Sequence, residues 1–112
     1  MESFAVDVAE TEPHRYVVTV RGELDLATAD RLWTKLEPLI KAGTTVVVDG
    51  SEMTFLDSSG LRVLLLAGNR AAADSATFRL VAPQPAVQRV LSLAGVGTHL
   101  ETRADVASAL AG

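Results

Sequence analysis

Hydrophobic and polar residues alternate in two stretches near the start of the chain, residues 4–9 and residues 15–21. In each stretch every second residue is a valine or an aromatic residue. A period of two is typical of a strand that buries one of its faces. Pro13 lies among polar residues between the two stretches, which indicates a turn. The two stretches are therefore predicted to pair as an antiparallel hairpin.

A helical period follows the hairpin, with apolar residues at every third or fourth position. The stripe consists of Leu32, Leu36 and Ile40. This spacing predicts an amphipathic helix. Asp25 or Thr28 is a suitable cap for its start, because short oxygen-bearing side chains accept hydrogen bonds from free backbone N–H groups. Pro38 is expected to bend or shorten the last turn, and Gly43 is expected to end the helix.

The most apolar part of the chain, residues 46–66, begins with three valines and ends in a leucine-rich run. A short β-branched run fits a strand covered on both faces, as in a parallel sheet flanked by helices. Residues 61–66 are apolar nearly all round, so we expect them to lie in a buried helix. The segment between strand and helix is predicted to be a short crossing loop.

The rest of the chain continues this alternation of strands and helices. Residues 77–81 indicate a strand, and Pro85 is well placed to open a helix that Gly95 ends. Residues 99–101 are interpreted as a short edge strand. Residues 102–105 resemble a capping box in front of a last, short helix.

The predicted order of elements is β-β-α-β-α-β-α-β-α. Strands that alternate with helices imply parallel pairing through right-handed crossovers. We therefore expect a single α/β domain over residues 1–112. It should contain a mixed, mostly parallel β-sheet with about four α-helices and a hairpin-like antiparallel start.

Composition excludes several classes of function. The net charge of −4 argues against nucleic acid or an anionic membrane as a partner, because both require a positive field. The chain has no cysteine and two histidines, so no thiol chemistry is possible and no metal or cofactor site is expected. No signal peptide or membrane-spanning run is recognisable, and a cytoplasmic location is expected.

The junction Asp57-Ser58-Ser59-Gly60 carries the candidate chemistry. Asp57, Ser58 and Ser59 are all able to cap the helix that follows. Gly60 has no side chain, so another molecule could approach the backbone there. The free N–H groups and the dipole of a helix start also favour a phosphate. The junction is therefore predicted to be the functional site.

Four segments of the chain resemble a known family, the STAS domains, and within it the small bacterial anti-sigma factor antagonists. The segments are Gly-Glu-Leu-Asp at 22–25, Phe-Leu-Asp-Ser-Ser-Gly-Leu at 55–61, Pro-Ala-Val at 85–87 and Leu-Ala-Gly-Val at 93–96. They occur at the expected places in the order of elements, and the resemblance covers nearly the whole chain.

The resemblance implies a regulator of transcription rather than an enzyme. Family members bind an anti-sigma factor that is also a serine kinase, and this binding releases the sigma factor in stress response or sporulation. The kinase phosphorylates the position that corresponds to Ser58, the modified antagonist lets go, and a serine phosphatase restores it. Asp25, Asp57, Ser59 and Gly60 match positions at or beside the partner surface. Family members often have a small residue at the position of Arg62. An arginine there could change which partner protein docks, or it could pair with a phosphate on Ser58.

Simpler interpretations remain open for the same residues. Ser59 is expected to act as a helix cap, and Asp25 is as compatible with a cap as with a contact. A hydrolase would use Ser58 or Ser59 as nucleophile with His99 as base, but no nucleophile-elbow motif is present. The main alternative is a STAS domain without a switch, either a scaffold or a partner of transporters, including lipid-transport ATPase complexes.

Overall fold

The two alternating stretches at the start of the chain pair as the predicted antiparallel hairpin, with Val8 opposite Val18. The computed structural model describes residues 4–111, so residues 1–3 and 112 of the expected domain lie outside the described part. The first strand is less buried than its pattern predicts. Phe4 is buried, but Val8 is 42% exposed, because this strand forms the edge of the sheet.

Within residues 4–111 the chain forms a five-stranded sheet and four α-helices. The elements are β1 (Ala5–Glu12), β2 (Arg15–Leu24), α1 (Ala29–Leu36) with a 3-10 turn (Glu37–Leu39), β3 (Thr45–Leu56), α2 (Ser58–Ala73), β4 (Thr77–Val81), α3 (Pro85–Ala94), β5 (Thr102–Arg103) and α4 (Val106–Leu110). The strands lie in the order β1-β2-β3-β4-β5, and every pair after the first hairpin is parallel. The predicted α/β class and mixed, mostly parallel sheet are confirmed.

Side chains of β3 point into two separate cores. Val46 and Val48 belong to the larger core, which also contains residues of α1, α2 and α3. Val47 belongs to a smaller core with Val81 of β4 and Ala109 of α4. All three valines are fully buried, which confirms the prediction of a strand covered on both faces.

The prediction of a loop after Val48 is wrong, because β3 continues to Leu56. Its second half pairs with β2 through two irregular steps in register, one between Thr19 and Arg21 and one between Gly22 and Glu23. Such bulges interrupt the alternation of buried and exposed residues. Polar residues in this half therefore do not follow the alternating pattern from which a strand is predicted.

Most predicted helix boundaries agree with the structure. The α-helical hydrogen bonding of α1 ends at Leu36, and Pro38 lies in the following 3-10 turn, as expected for a residue without an N–H. Helix α3 begins at Pro85 and ends before Gly95, whose φ of 67° is left-handed.

Two predictions near the end of the chain are wrong. The edge strand β5 covers residues 102 and 103 rather than 99–101. The capping box at 102–105 does not form, because Thr102 lies in that strand. Asp105 alone caps α4, and its carboxylate accepts a hydrogen bond of 2.8 Å from the Ser108 N–H.

Candidate functional site

Strands β2 and β3 deliver the predicted site residues to one edge of the sheet. Leu24 and Leu56 are paired at the carboxyl ends of these parallel strands. The Asp57 N–H donates to the Leu24 carbonyl oxygen at 3.3 Å, which ties the two ends together. Asp25 and Asp57, the next residues on each strand, are thereby placed side by side at this edge.

Asp57 caps helix α2. Its Oδ1 accepts hydrogen bonds from the Ser59 N–H at 2.9 Å and the Gly60 N–H at 3.1 Å. Its backbone is extended, with φ −112° and ψ −174°, as is usual for a capping residue. The expectation that Ser59 acts as the cap is therefore wrong, since Ser59 supplies an N–H to the cap instead.

Capping by Asp57 has a second consequence. Two N–H groups of the first turn are already bonded to Oδ1, and the Leu61 N–H bonds the Asp57 carbonyl oxygen at 2.9 Å. The expectation that these N–H groups would receive a phosphate is therefore not met. A carboxylate already occupies that position.

Ser58 is the first residue of α2, and its side chain is exposed. Because Asp57 performs the capping, the Ser58 hydroxyl has no structural task among the described hydrogen bonds. A hydroxyl in this position is accessible to another protein. The expected exposure of Ser58 is thus met by the geometry.

Gly60 lies inside the fold rather than on a surface. A Cβ on Gly60 would come within 2.7 Å of both Cγ and the carbonyl oxygen of Leu24, and 2.8 Å from Cδ1 of Leu56. The expectation that the missing side chain opens the backbone to a partner is wrong. Glycine is required here because α2 begins in direct contact with the ends of β2 and β3.

Asp25 and Thr28 shape the loop between β2 and α1. Asp25 Oδ1 accepts from the Ala27 N–H at 3.0 Å, and the Thr28 hydroxyl donates to the Glu23 carbonyl oxygen at 2.8 Å. Thr28 occupies the cap position of α1, but its side chain accepts no bond from the helix. Both residues therefore hold the loop, and the predicted side-chain cap of α1 is absent.

Leu26 at the tip of this loop is 80% exposed, and the sequence pattern did not single it out. It directly follows Asp25, so it lies at the same edge of the sheet as Ser58. An apolar side chain so exposed has no role in the core of this domain. In the sequence, only its position in a turn between β2 and α1 could have indicated that Leu26 is exposed.

Helix α2 presents a mixed face to solvent. The helix is not buried all round as predicted, since Arg62 is exposed and Leu66 is 42% exposed. A shallow groove runs along this face. Its lining consists of Ser58, Leu61, Arg62, Leu65, Leu66 and Asn69. Ser58 and Arg62 therefore share one surface.

The histidines are remote from Ser58. The backbone of His99 packs beside Gly68, ten residues along α2 from Ser58, which corresponds to about 15 Å of helix. His14 lies in the β1–β2 turn, and its carbonyl oxygen accepts a hydrogen bond from the Thr45 N–H at the start of β3. Ser58 follows the other end of that strand. No histidine is placed to activate Ser58 or Ser59, so the geometry does not support a serine hydrolase.

Two absences hold for the described range, residues 4–111. No group of three or more His, Asp or Glu side chains in this range is arranged to hold a metal ion. None of the helices in the described range has the length and hydropathy needed to cross a bilayer.

A charge cluster lies on β4 and β5, where Arg79 pairs with Glu101 at 3.1 Å and Glu101 also pairs with Arg103. Partial burial raises the pKa of Glu101. The hydrogen bond from Arg103 and the charges of both arginines outweigh that effect, and the pKa lies below its ordinary value. The cluster connects β4 to the segment before β5.

Comparison with known proteins agrees with the fold. The family model described as "Mlab, STAS domain" matches residues 8–102. The chain belongs to the STAS domain family, and the predicted resemblance is confirmed. That family includes the anti-sigma factor antagonists.

Solved structures place the chain beside such antagonists. An anti-sigma factor antagonist from Mycobacterium paratuberculosis is 28% identical, with a TM-score of 0.84 over 96% of this chain and 92% of that one. The unphosphorylated form of the antagonist SpoIIAA is 22% identical, with a TM-score of 0.74 over 90% of each chain. The phosphorylated form of SpoIIAA from Bacillus is 21% identical, with a TM-score of 0.69 over 90% of this chain and 93% of that one.

Proposed function

We propose that this protein is an anti-sigma factor antagonist controlled by phosphorylation of Ser58. In its unmodified form it binds an anti-sigma factor that is a serine kinase, and the sigma factor is released. The kinase transfers the γ-phosphoryl group of ATP to the Ser58 oxygen, ADP leaves, and the hydroxyl proton is lost. A serine phosphatase hydrolyses the phosphoserine and restores the active form.

The exposed Ser58 hydroxyl beside the Asp57 cap is the observation that carries this proposal. The hydroxyl is accessible, and no other structural requirement explains a serine at that position. Around it lie an exposed apolar side chain, Leu26, and the groove along α2. An exposed apolar residue beside polar groups is typical of a surface that binds another protein.

Electrostatics explain how a phosphate would end the complex. A phosphoserine carries about −1.5 to −2 charges at neutral pH. Asp57 is the preceding residue and already carries a negative charge. Burial of an unpaired charge in an interface costs several kcal/mol, and about 1.4 kcal/mol corresponds to a tenfold loss of affinity. The partner is therefore released without any change in the fold.

The direct test is incubation of the protein with its anti-sigma kinase and ATP, followed by intact-mass spectrometry and peptide mapping. The expected product carries one phosphate, located on Ser58, and Ser58→Ala carries none. Ser59→Ala is the matched control and should still be phosphorylated. Phosphate on another residue, or none after binding of the kinase, would contradict the proposed switch.

A STAS domain without a switch, as a scaffold or a transporter partner, is the second candidate. The matching family model is named after Mlab rather than after an antagonist. In this case affinity purification from detergent-solubilised cells recovers a membrane transport complex. Ser58→Ala and Ser58→Glu then bind that complex equally well, whereas the switched antagonist loses its partner with Ser58→Glu only.

A further inference from the structure

Arg62 lies one helical turn after Ser58 on the exposed face of α2. Residues four positions apart in a helix are neighbours, with Cβ atoms about 5–6 Å apart. Both residues line the same shallow groove. Helical side chains generally lean toward the N-terminus of the helix, and from Arg62 this is the direction of the turn that carries Ser58.

The side chain of Arg62 has no counter-ion within residues 4–111. It takes part in none of the hydrogen bonds or ion pairs of that range, whereas Arg70 on the same helix pairs with Glu37 at 3.5 Å. The helix neighbours of Arg62 three and four positions away are Ser58, Ser59, Leu65 and Leu66, and all are uncharged. A charged group on Ser58 would be the first local partner for this guanidinium.

A phosphate on Ser58 would have few other donors nearby. The Ser59 and Gly60 N–H groups are bonded to Asp57 Oδ1, and that carboxylate repels a phosphate. Arginine binds phosphate oxygens with two parallel N–H groups, which adds geometric specificity to the charge attraction. An anion that precedes a cation by four residues is also the favourable order in a helix.

We infer that Arg62 binds the phosphate of phosphorylated Ser58 and holds it in its dianionic form. This inference rests on the proposed modification of Ser58. The second pKa of phosphoserine is about 6, so a nearby guanidinium increases the negative charge at neutral and slightly acidic pH. The pair thus keeps both negative charges on the phosphate at slightly acidic pH, and a partner protein would have to strip water from two charged groups to cover it.

Phosphoserine installed at position 58 during protein synthesis allows a test that needs no kinase. The second pKa of the phosphate is measured by phosphorus NMR titration in the unsubstituted protein and in Arg62→Gln. Exposed ion pairs contribute up to about 1 kcal/mol, so the pKa should rise by about 0.2–0.7 units in Arg62→Gln. Arg62→Lys should give an intermediate value, and the difference should shrink at 1 M salt.

Arg89→Gln is the matched control, because it removes the same charge from an exposed position on α3. Its phosphate should titrate as in the unsubstituted protein. Equal pKa values in the unsubstituted protein and Arg62→Gln, or an equal rise in Arg89→Gln, would overturn the inference. Either of these results would leave the proposed switch at Ser58 intact. Conversely, if the kinase places no phosphate on Ser58, the proposed switch is wrong, but the Arg62–phosphate pair can still be measured with the installed phosphoserine.

Discussion

Gly60 is packed against Leu24 so closely that a Cβ would lie 2.7 Å from both Cγ and the carbonyl oxygen of Leu24. This contact joins the start of α2 to the end of β2. The Asp25–Leu26 loop continues from Leu24, and Ser58 lies two residues before Gly60. The relative position of Leu26 and Ser58 therefore depends on a glycine that is buried inside the fold.

The effect of Gly60→Ala tests this contact. Alanine normally stabilises a helix interior by about 1 kcal/mol relative to glycine. Here it should destabilise the protein by about 1–3 kcal/mol, because the methyl group meets Leu24 and its backbone. Gly68→Ala in the same helix is the control, since its Cβ would lie 3.3 Å from the His99 carbonyl oxygen and requires less movement. Urea unfolding followed by circular dichroism compares the two, and equal stabilities would contradict the argument.

Removal of the Asp57 carboxylate should destabilise α2. Asp57→Ala leaves two N–H groups of the first turn without their acceptor, which costs about 1–2 kcal/mol. Asp57→Asn keeps a side-chain oxygen that can accept the same hydrogen bonds, and it should cost only a few tenths of a kcal/mol. Thermal unfolding monitored by circular dichroism measures both. If both variants lose the same stability, the charge rather than the hydrogen bonds is responsible.

Ser58→Glu should separate binding from stability. Ser58 is exposed and the cap belongs to Asp57, so stability should change by less than about 0.5 kcal/mol. Affinity for the proposed anti-sigma factor partner should fall at least tenfold, because a negative charge enters the proposed interface. Isothermal titration calorimetry gives the affinity. Ser92→Glu adds the same charge on α3 and should bind normally; an equal loss there would indicate a general charge effect.

Leu26 and Leu93 form a matched pair of exposed leucines. They are 80% and 82% exposed, but Leu26 lies in the loop at the same sheet edge as Ser58, whereas Leu93 lies on α3. Leu26→Ala should weaken partner binding about tenfold or more, as expected for an apolar contact residue. Leu93→Ala should leave binding unchanged, and both variants should unfold at the same urea concentration. A larger effect from Leu93 would move the binding surface to α3.

Glu101→Gln should make stability less dependent on pH. The pKa of Glu101 is lowered from 4.5, so its ion pairs stabilise the folded state fully above that pH. This contribution is lost as the pH falls through the lower pKa of the folded state. Glu101 is 43% exposed, so we expect a deficit of about 1 kcal/mol at neutral pH that closes in acid. Unfolding at several pH values measures the deficit, with Glu12→Gln as control. A deficit that stays unchanged at low pH would contradict the argument.

Local patterns determined most of the elements and the identity of the junction. The valine run, the leucine stripes and the positions of Pro85 and Gly95 depend on side-chain periodicity and backbone preferences, which act over a few residues. The Asp-Ser-Ser-Gly segment is also local, because its short oxygen-bearing side chains are typical of a helix start and match a family motif. Its motif is short, and it stands between a strand and a helix.

Only tertiary structure decided what each residue of that segment does. Asp57, Ser58 and Ser59 are all chemically able to cap a helix, and the direction of the chain leaving β3 selects Asp57. Gly60 is required because Leu24 of a neighbouring strand occupies the space for its side chain. The exposure of Leu26 and the length of β3 also depend on pairing between β2 and β3, residues distant in sequence. Such contacts follow from how the sheet is assembled, and local composition does not encode them.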